Sequence, residues 1–153
     1  MLKTIERWRT QLEERHFRRR VRKALALHKR GGVWRDRLSL NHFQHHQNRL
    51  QTEWRAREVH PWDRDRPATH VAQLFAEQCL KDAEAALERL FARLSEIDVI
   101  DFTMRDPNSG AILLSGAVMR SEVMNLGAPS SGMRLKQLGV TYRLQNWRFE
   151  PLG

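Results

Sequence analysis

A run of cationic side chains near the N-terminus is the group of residues best suited to binding chemistry. Eight Lys or Arg residues lie between positions 15 and 30, with few carboxylates close enough along a helix to pair with them. Guanidinium groups bind phosphate or carboxylate through two parallel hydrogen bonds, whereas an ammonium group acts as a point charge. The sequence therefore predicts an anion-binding surface made of Arg15, Arg18, Arg19, Arg20, Arg22, Lys23, Lys29 and Arg30.

The excess positive charge of the chain lies almost entirely in its first half. Residues 1–66 contain eighteen Lys or Arg against eight Asp or Glu, whereas residues 67–153 contain nine against ten. Such a division predicts a basic arm that prefers an anionic partner, joined to a body of ordinary charge. Arg outnumbers Lys by twenty-two to five, which either anion recognition or a coding sequence rich in G and C would produce.

Three tryptophans, Trp8, Trp34 and Trp54, accompany the cations. Indole rings stack on unpaired bases, lie at membrane interfaces, or anchor a helical arm to a protein core. The chain has no zinc-finger spacing, no basic zipper with sustained heptads and no aromatic RNA-binding strand motif. Four interpretations of the arm stay open: nucleic-acid binding, an acidic protein or assembly partner, a membrane surface, or a solvated face that binds nothing specific.

Histidines offer a second kind of chemistry. On the helix predicted for residues 41–60, His42, His46 and Glu53 stand four and seven residues apart and would share a face, as a divalent transition metal requires. A complete site would still need a ligand from another element. Because a helical pattern without cysteines is more typical of solvated histidines, we predict no metal and no other cofactor.

Asp101, Glu122 and Tyr142 are the candidates for a pocket in the C-terminal half. The two carboxylates would serve as an acid and base pair in a sheet-lined pocket with the tyrosine at its mouth. Strand alternation explains Asp101 equally well, and strand termination explains Glu122. Cys79 has apolar neighbours at helical spacing, which predicts a buried thiol rather than a nucleophile.

Two helices are predicted to carry the basic arm. The first spans residues 2–30 and ends at the pair Gly31 and Gly32, and the second spans residues 41–60. Prolines bracket alternating charges in residues 61–68, which indicates a linker between the arm, residues 1–60, and a body of residues 69–153. The first helix has a narrow apolar stripe of two runs: Ile5, Trp8 and Leu12 and, after a phase shift, Phe17, Val21 and Leu25.

The body reads as one long helix and several strands. Apolar residues recur at helical spacing over residues 69–96, and the period changes to two from Ile97, which predicts a hairpin of residues 97–105 and 111–123. A third strand is predicted over 133–144 and a short fourth over 147–149. The fold class expected is α+β: two basic N-terminal helices, then a long helix packed on a three- to four-stranded antiparallel meander.

These patterns favour a non-enzymatic binding or adaptor protein. Its basic arm would dock on an anionic partner, and its sheet, apolar on both faces of the second strand, would mediate association with a partner or a second copy. The alternatives are a small enzyme or ligand-binding domain with a pocket between helix and sheet, and a nucleic-acid-binding protein. A single cysteine, no secretory signal and no apolar run of about 18 residues favour a cytoplasmic protein without a transmembrane segment.

Overall fold

A mixed four-stranded sheet with a long helix packed on one face forms the centre of the protein. The computed structural model describes residues 1–30, 34–123 and 126–153, and for residues 27–30 and 34–37 it describes the backbone alone. In chain order the elements are α1 (Leu2–Ala24), β1 (Ala26–Arg30), β2 (Trp34–Arg37), β3 (Ser39–His46), β4 (Arg49–Arg55), α2 (Ala68–Arg93), β5 (Val99–Arg105), β6 (Ile112–Met119), α3 (Arg120–Val123), α4 (Ser131–Gln137), β7 (Leu144–Gln145) and β8 (Arg148–Phe149).

The first helix is shorter than predicted. It ends at Ala24, and the chain continues as β1, which pairs antiparallel with β2. Leu25 and Leu38 are both buried, and the backbone N–H of Leu38 donates to the carbonyl of Leu25 at 3.1 Å. Both leucines belong to the hydrophobic core, and the helix therefore ends at Ala24 rather than at residue 30. The predicted helix stop at Gly31 and Gly32 lies outside the described residues.

The second basic helix predicted for residues 41–60 is wrong, because this segment forms the antiparallel hairpin of β3 and β4. Leu50, Thr52 and Trp54 are buried on alternate positions of β4, which is the period of a strand and not of a helix. Between the strands, Gln47 adopts a positive φ of 53°, as tight hairpin turns require. The apolar spacing of the segment had fitted both periods.

The four-stranded sheet has the order β3-β4-β5-β6 and is mixed. The predicted hairpin of β5 and β6 is confirmed, but β4 and β5 run parallel because α2 connects them as a crossover helix. The predicted third strand over residues 133–144 is wrong, because α4 forms over Ser131–Gln137 and β7, which pairs with β8 in a separate sheet, begins only at Leu144. The sheet thus joins strands from both sides of the proposed 61–68 linker, and the division into arm, linker and body stays a prediction.

The core lies between α2 and one face of the sheet. Trp54 and Phe102 stack there at 5.0 Å between ring centroids, and both are buried. Gly116 on β6 allows the backbone of Val140 to pack closely, since a Cβ at Gly116 would meet the Val140 Cα at 3.0 Å. No described helix is both long and apolar enough to cross a lipid bilayer.

The opposite face of the sheet is open and polar. Across β4 and β5, Arg49 is ion-paired with Asp101, and Arg105 with Glu53. Met119 at the end of β6 exposes 48% of its surface on this face. The open face therefore combines internally paired charges with a small exposed apolar patch.

Candidate functional site

The last two turns of α1 hold this helix against the rest of the protein. Phe17, Val21 and Ala24 are buried, although every residue from 1 to 16 is exposed. The Phe17 ring stacks on His45 of β3 at 4.2 Å between centroids and lies 5.8 Å from the ring of Phe43. The helix is therefore anchored at one end and solvated at the other.

Two arginines add polar contacts to this anchor. Arg20 donates from Nη1 and Nη2 to the Glu96 carboxylate at 2.5 and 3.0 Å, and also from Nη2 to the carbonyl of Arg93 at 2.8 Å. These hydrogen bonds lower the pKa of Glu96 below its ordinary value. Arg89 of α2 donates to the carbonyl of Ala24 at 2.8 Å and so satisfies the C-terminus of α1.

The solvated part of α1 carries an apolar stripe that no described residue covers. Leu2, Ile5, Trp8 and Leu12 expose between 59% and 79% of their surface. Ile5, Trp8 and Leu12 lie on one face of the helix. Three arginines continue the same face, because the spacing between successive residues alternates between three and four. We call this face the α1 seam, and it consists of Ile5, Trp8, Leu12, Arg15, Arg19 and Arg22, all exposed.

The other predicted anion-binding residues are distributed around α1 and β1. Lys23 is exposed on the last turn of α1, and the Arg18 guanidinium lies 5.1 Å from the centroid of the Phe43 ring. Lys29 and Arg30 lie on β1, where side chains are not described. In all, α1 carries nine Lys or Arg against three Glu, so its positive charge is largely unneutralised within the helix.

The tryptophans predicted to contact a partner have different environments. Trp8 is 64% exposed on the α1 seam. Trp54 is fully buried against Phe102, so a partner at the protein surface has no access to it. The side chain of Trp34 lies outside the described residues. The sequence prediction omitted Trp62 and Trp147, which expose 86% and 41% of their surface. Trp62 lies in the predicted linker and Trp147 beside a predicted turn, and these positions were the available signal that both side chains are exposed.

The three candidate metal ligands do not share a helix face, because they lie on a hairpin. His42 stands opposite Glu53 across the β3–β4 pair, and His46 stands opposite Arg49, whose positive charge disfavours a nearby metal ion. In the part of the chain that the structure describes, no three His, Cys, Asp or Glu side chains are grouped so as to hold a metal.

The predicted pocket residues also separate. Asp101 pairs with Arg49 on the open sheet face, and Glu122 is exposed on α3. Tyr142 is half-buried beside Lys136, whose Nζ lies 4.9 Å from the ring centroid, and burial raises the pKa of this tyrosine. A cavity elsewhere in the structure is lined by none of these three predicted residues.

That cavity has a volume of about 930 Å³ and lies at one end of the sheet. Its walls come from four separate segments: residues 58–66, the first turns of α2, the β5–β6 turn and the β7–β8 hairpin. Sequence reasoning missed it because these segments are far apart along the chain and share no motif. The carboxylates that led to the prediction of a pocket lie elsewhere: Asp101 is on the open sheet face, and Glu122 is on α3.

Cys79 is buried in α2, as its apolar neighbours predicted. Burial raises the pKa of its thiol well above the ordinary value, and the nearby Asp82 carboxylate adds to this effect. The thiol is therefore protonated at neutral pH and packs as a small apolar group.

Comparisons of the chain with protein-family models, with curated protein sequences and with solved structures find no significant match.

Proposed function

We propose that the protein is a non-enzymatic binding or adaptor protein whose α1 seam docks on an anionic partner protein. The observation that carries this function is the continuity of the seam. Ile5, Trp8 and Leu12 are exposed at helical spacing, and Arg15 and Arg19 follow on the same face. One partner surface can therefore contact both the apolar and the cationic half at once.

The apolar half of the seam supports the proposal that a partner docks on this helix. A stripe of exposed large apolar residues with regular spacing is typical of helices that bind in a groove. The solvated part of α1, residues 2–16, has about the length at which an isolated helix is only marginally stable in water, and the described contacts of α1 with the core lie in its last two turns. Docking would bury Ile5, Trp8 and Leu12 and stabilise the solvated turns.

The cationic half of the seam determines the charge of that partner. Arg15, Arg19 and Arg22 are exposed, and none of them pairs with a carboxylate among the described residues. A second α1 helix is a poor partner, because a parallel pair would place these arginines against each other. An antiparallel pair would place them against the apolar half. An acidic protein with an apolar groove satisfies both halves.

A duplex nucleic acid satisfies the cationic half alone. Its phosphates would pair with the arginines, but its backbone offers no apolar groove for Ile5 and Leu12. The open sheet face does not enter this proposal, because the Asp101 carboxylate already has its cation, Arg49, within the sheet. Self-association through the sheet stays a prediction.

The binding experiment uses the full-length protein and a fluorescent peptide of four LEELEEE heptads, which presents an apolar stripe flanked by carboxylates. We expect saturable binding by fluorescence anisotropy. The triple variant Arg15→Gln, Arg19→Gln, Arg22→Gln should weaken it at least about tenfold and reduce its dependence on salt. A matched control loses the same charge at three exposed arginines outside α1: Arg55→Gln, Arg93→Gln and Arg143→Gln.

A second variant, Ile5→Ser, Trp8→Ser, Leu12→Ser, distinguishes the two classes of partner. It should weaken peptide binding about as much as the arginine variant does. The same variants are titrated with duplex DNA of random sequence. If DNA binds more tightly than the peptide, and binds the serine variant as well as the wild type, the arm is a nucleic-acid-binding surface. If the control triple loses as much affinity as the seam triple, the seam is not the binding surface.

A further inference from the structure

The cavity at the end of the sheet has the size and composition of a small-molecule site. Its volume of about 930 Å³ is at the upper end of the range for sites that hold drug-sized ligands. Val71, Leu113 and the rings of Phe75 and Phe149 supply apolar surface, and these two rings meet edge to face at 6.3 Å between centroids. The cavity therefore suits a flat apolar group.

One cation at this cavity is available to a ligand. Arg64 also lines it but donates to Glu58 at 2.6 Å, and Arg66 pairs with Asp63 at 3.2 Å. Arg148 on β8 makes no ion pair or side-chain hydrogen bond with any part of the chain that the structure describes. Its guanidinium fork is therefore unoccupied beside an apolar wall.

The carboxylates of the cavity do not compete for Arg148. The Glu58 carboxylate holds Arg64, and Asp106 accepts hydrogen bonds from the backbone N–H groups of Asn108 and Ser109 at 2.8 and 2.9 Å. Asp106 thereby shapes the turn between β5 and β6. Arg148 is therefore the lining cation that has no described carboxylate partner, and an anionic group on a ligand would pair with it.

Trp147 reaches this cavity from a strained backbone. It follows Asn146 in the two-residue turn between β7 and β8, and both residues have positive φ, 51° and 65°. Such type I′ turns favour the sequence Asn-Gly, because a bulky side chain at positive φ costs about 1 kcal/mol or more. Trp147 occupies the turn position that usually holds glycine, and it lines the cavity.

We propose that this cavity binds a small aromatic carboxylate. The carboxylate pairs with the guanidinium of Arg148, and the ring system packs between Trp147 and the aromatic pair Phe75 and Phe149. Planar bidentate pairing of Arg with a carboxylate sets the orientation of the ligand, and the apolar walls supply most of its burial. This site is separate from the α1 seam and does not depend on the function proposed for it.

Isothermal titration calorimetry with naphthoate, and with naphthamide as its neutral analogue, tests this site in the full-length protein. We expect naphthoate to bind with a Kd of roughly 10–100 µM, a range set by its small size. Naphthamide should bind about tenfold more weakly, because it cannot pair with the guanidinium charge. Equal affinity for the two compounds, or no heat from naphthoate at millimolar concentration, would overturn the proposal.

Variants locate the binding in the cavity. Arg148→Gln should weaken naphthoate binding about tenfold, whereas Arg143→Gln, an exposed arginine of the same C-terminal segment that does not line the cavity, should leave it unchanged. Ala72→Phe places a ring in the cavity from α2 without changing any charge and should weaken binding at least about tenfold. Unchanged affinity in Ala72→Phe would show that naphthoate binds outside the cavity and would reject the site.

Trp147→Gly gives a readout that a purely structural role would not produce. It restores the preferred Asn-Gly turn, so the melting temperature should stay equal or rise. It also removes an aromatic wall, so naphthoate affinity should fall by a factor of about 3 to 10. A variant that keeps full affinity would contradict the role assigned to this ring.

Discussion

α1 and α2 have nearly the same length, 23 and 26 residues, but they relate to the core in opposite ways. α1 buries three residues, all in its last two turns, whereas α2 buries nine, spread from Ala76 to Phe91. Both sequences have apolar residues at helical spacing. The difference shows that the same secondary structure can stabilise the fold along its length or present a surface to a partner.

The two helices also treat charge differently. In α2 the carboxylate of Asp82 is 2% exposed and is held by Arg57 at 2.6 Å. On α1 the seam arginines are exposed and have no carboxylate partner among the described residues. Because buried charges must be paired whereas exposed ones need not be, the unpaired cations of α1 lie on its exposed face.

The largest expected effect comes from shortening an apolar residue on each helix. Leu90→Ala on α2 creates a cavity at a fully buried position and should lower the free energy of unfolding by about 3 kcal/mol. Leu12→Ala on α1 removes a side chain that is 59% exposed, so its effect should stay within about 0.5 kcal/mol. Urea denaturation followed by circular dichroism measures both. A comparable loss in the two variants would mean that Leu12 packs against the protein in solution.

An intermediate effect is expected from the charges. Asp82→Ala leaves the guanidinium of Arg57 without this partner in a largely buried position and should cost about 2 kcal/mol of unfolding free energy. Asp101→Ala on the open sheet face removes a pair whose arginine is 54% exposed, and should cost no more than about 1 kcal/mol. Urea denaturation measures both variants. If Asp101→Ala is less stable than Asp82→Ala, the buried ion pair does not contribute more stability than the exposed one.

The smallest effect is a pH dependence that differs between the helices. Hydrogen bonds from Arg134 lower the pKa of Glu84 on α2, and those from Arg20 lower the pKa of Glu96 at the α1 anchor. A carboxylate whose pKa is lowered in the folded state stabilises the fold at pH values above its unfolded pKa of about 4.3. That stability is lost as the pH falls through the pKa of the folded state. At neutral pH Glu84→Gln should cost about 1 kcal/mol, and Glu96→Gln, whose carboxylate is 37% exposed, should cost less.

Unfolding free energies measured between pH 7 and pH 3 test this difference. The gap between the wild type and each glutamine variant should close as the solution is acidified, because protonated glutamate and glutamine are both neutral. A gap that persists at the acidic end would indicate that the substitution acts through packing rather than through charge.

Two parts of the fold, α2 and the β5–β6 hairpin, could be predicted from the sequence because their periods are unambiguous. α2 and the β5–β6 hairpin follow clear helical and alternating patterns, and both formed close to the expected residues. The segment 41–60 was wrong because Phe43, Leu50 and Trp54 are too few to separate the two periods. The spacing of Ile5, Trp8 and Leu12 could be read from the sequence, but their exposure could not. The buried apolar run that begins at Phe17 consists of the same types of residue.

By itself, the sequence determined the charge asymmetry, the long apolar helix and the hairpin, because net charge and periodicity are properties of residue types in order. The tertiary structure decided which apolar stripe of α1 is buried and that β4 and β5 run parallel. It also brought four distant segments around the cavity and placed Arg148 beside Trp147. These features depend on contacts between residues far apart in the chain, and only burial of one core selects among the arrangements that local preferences allow.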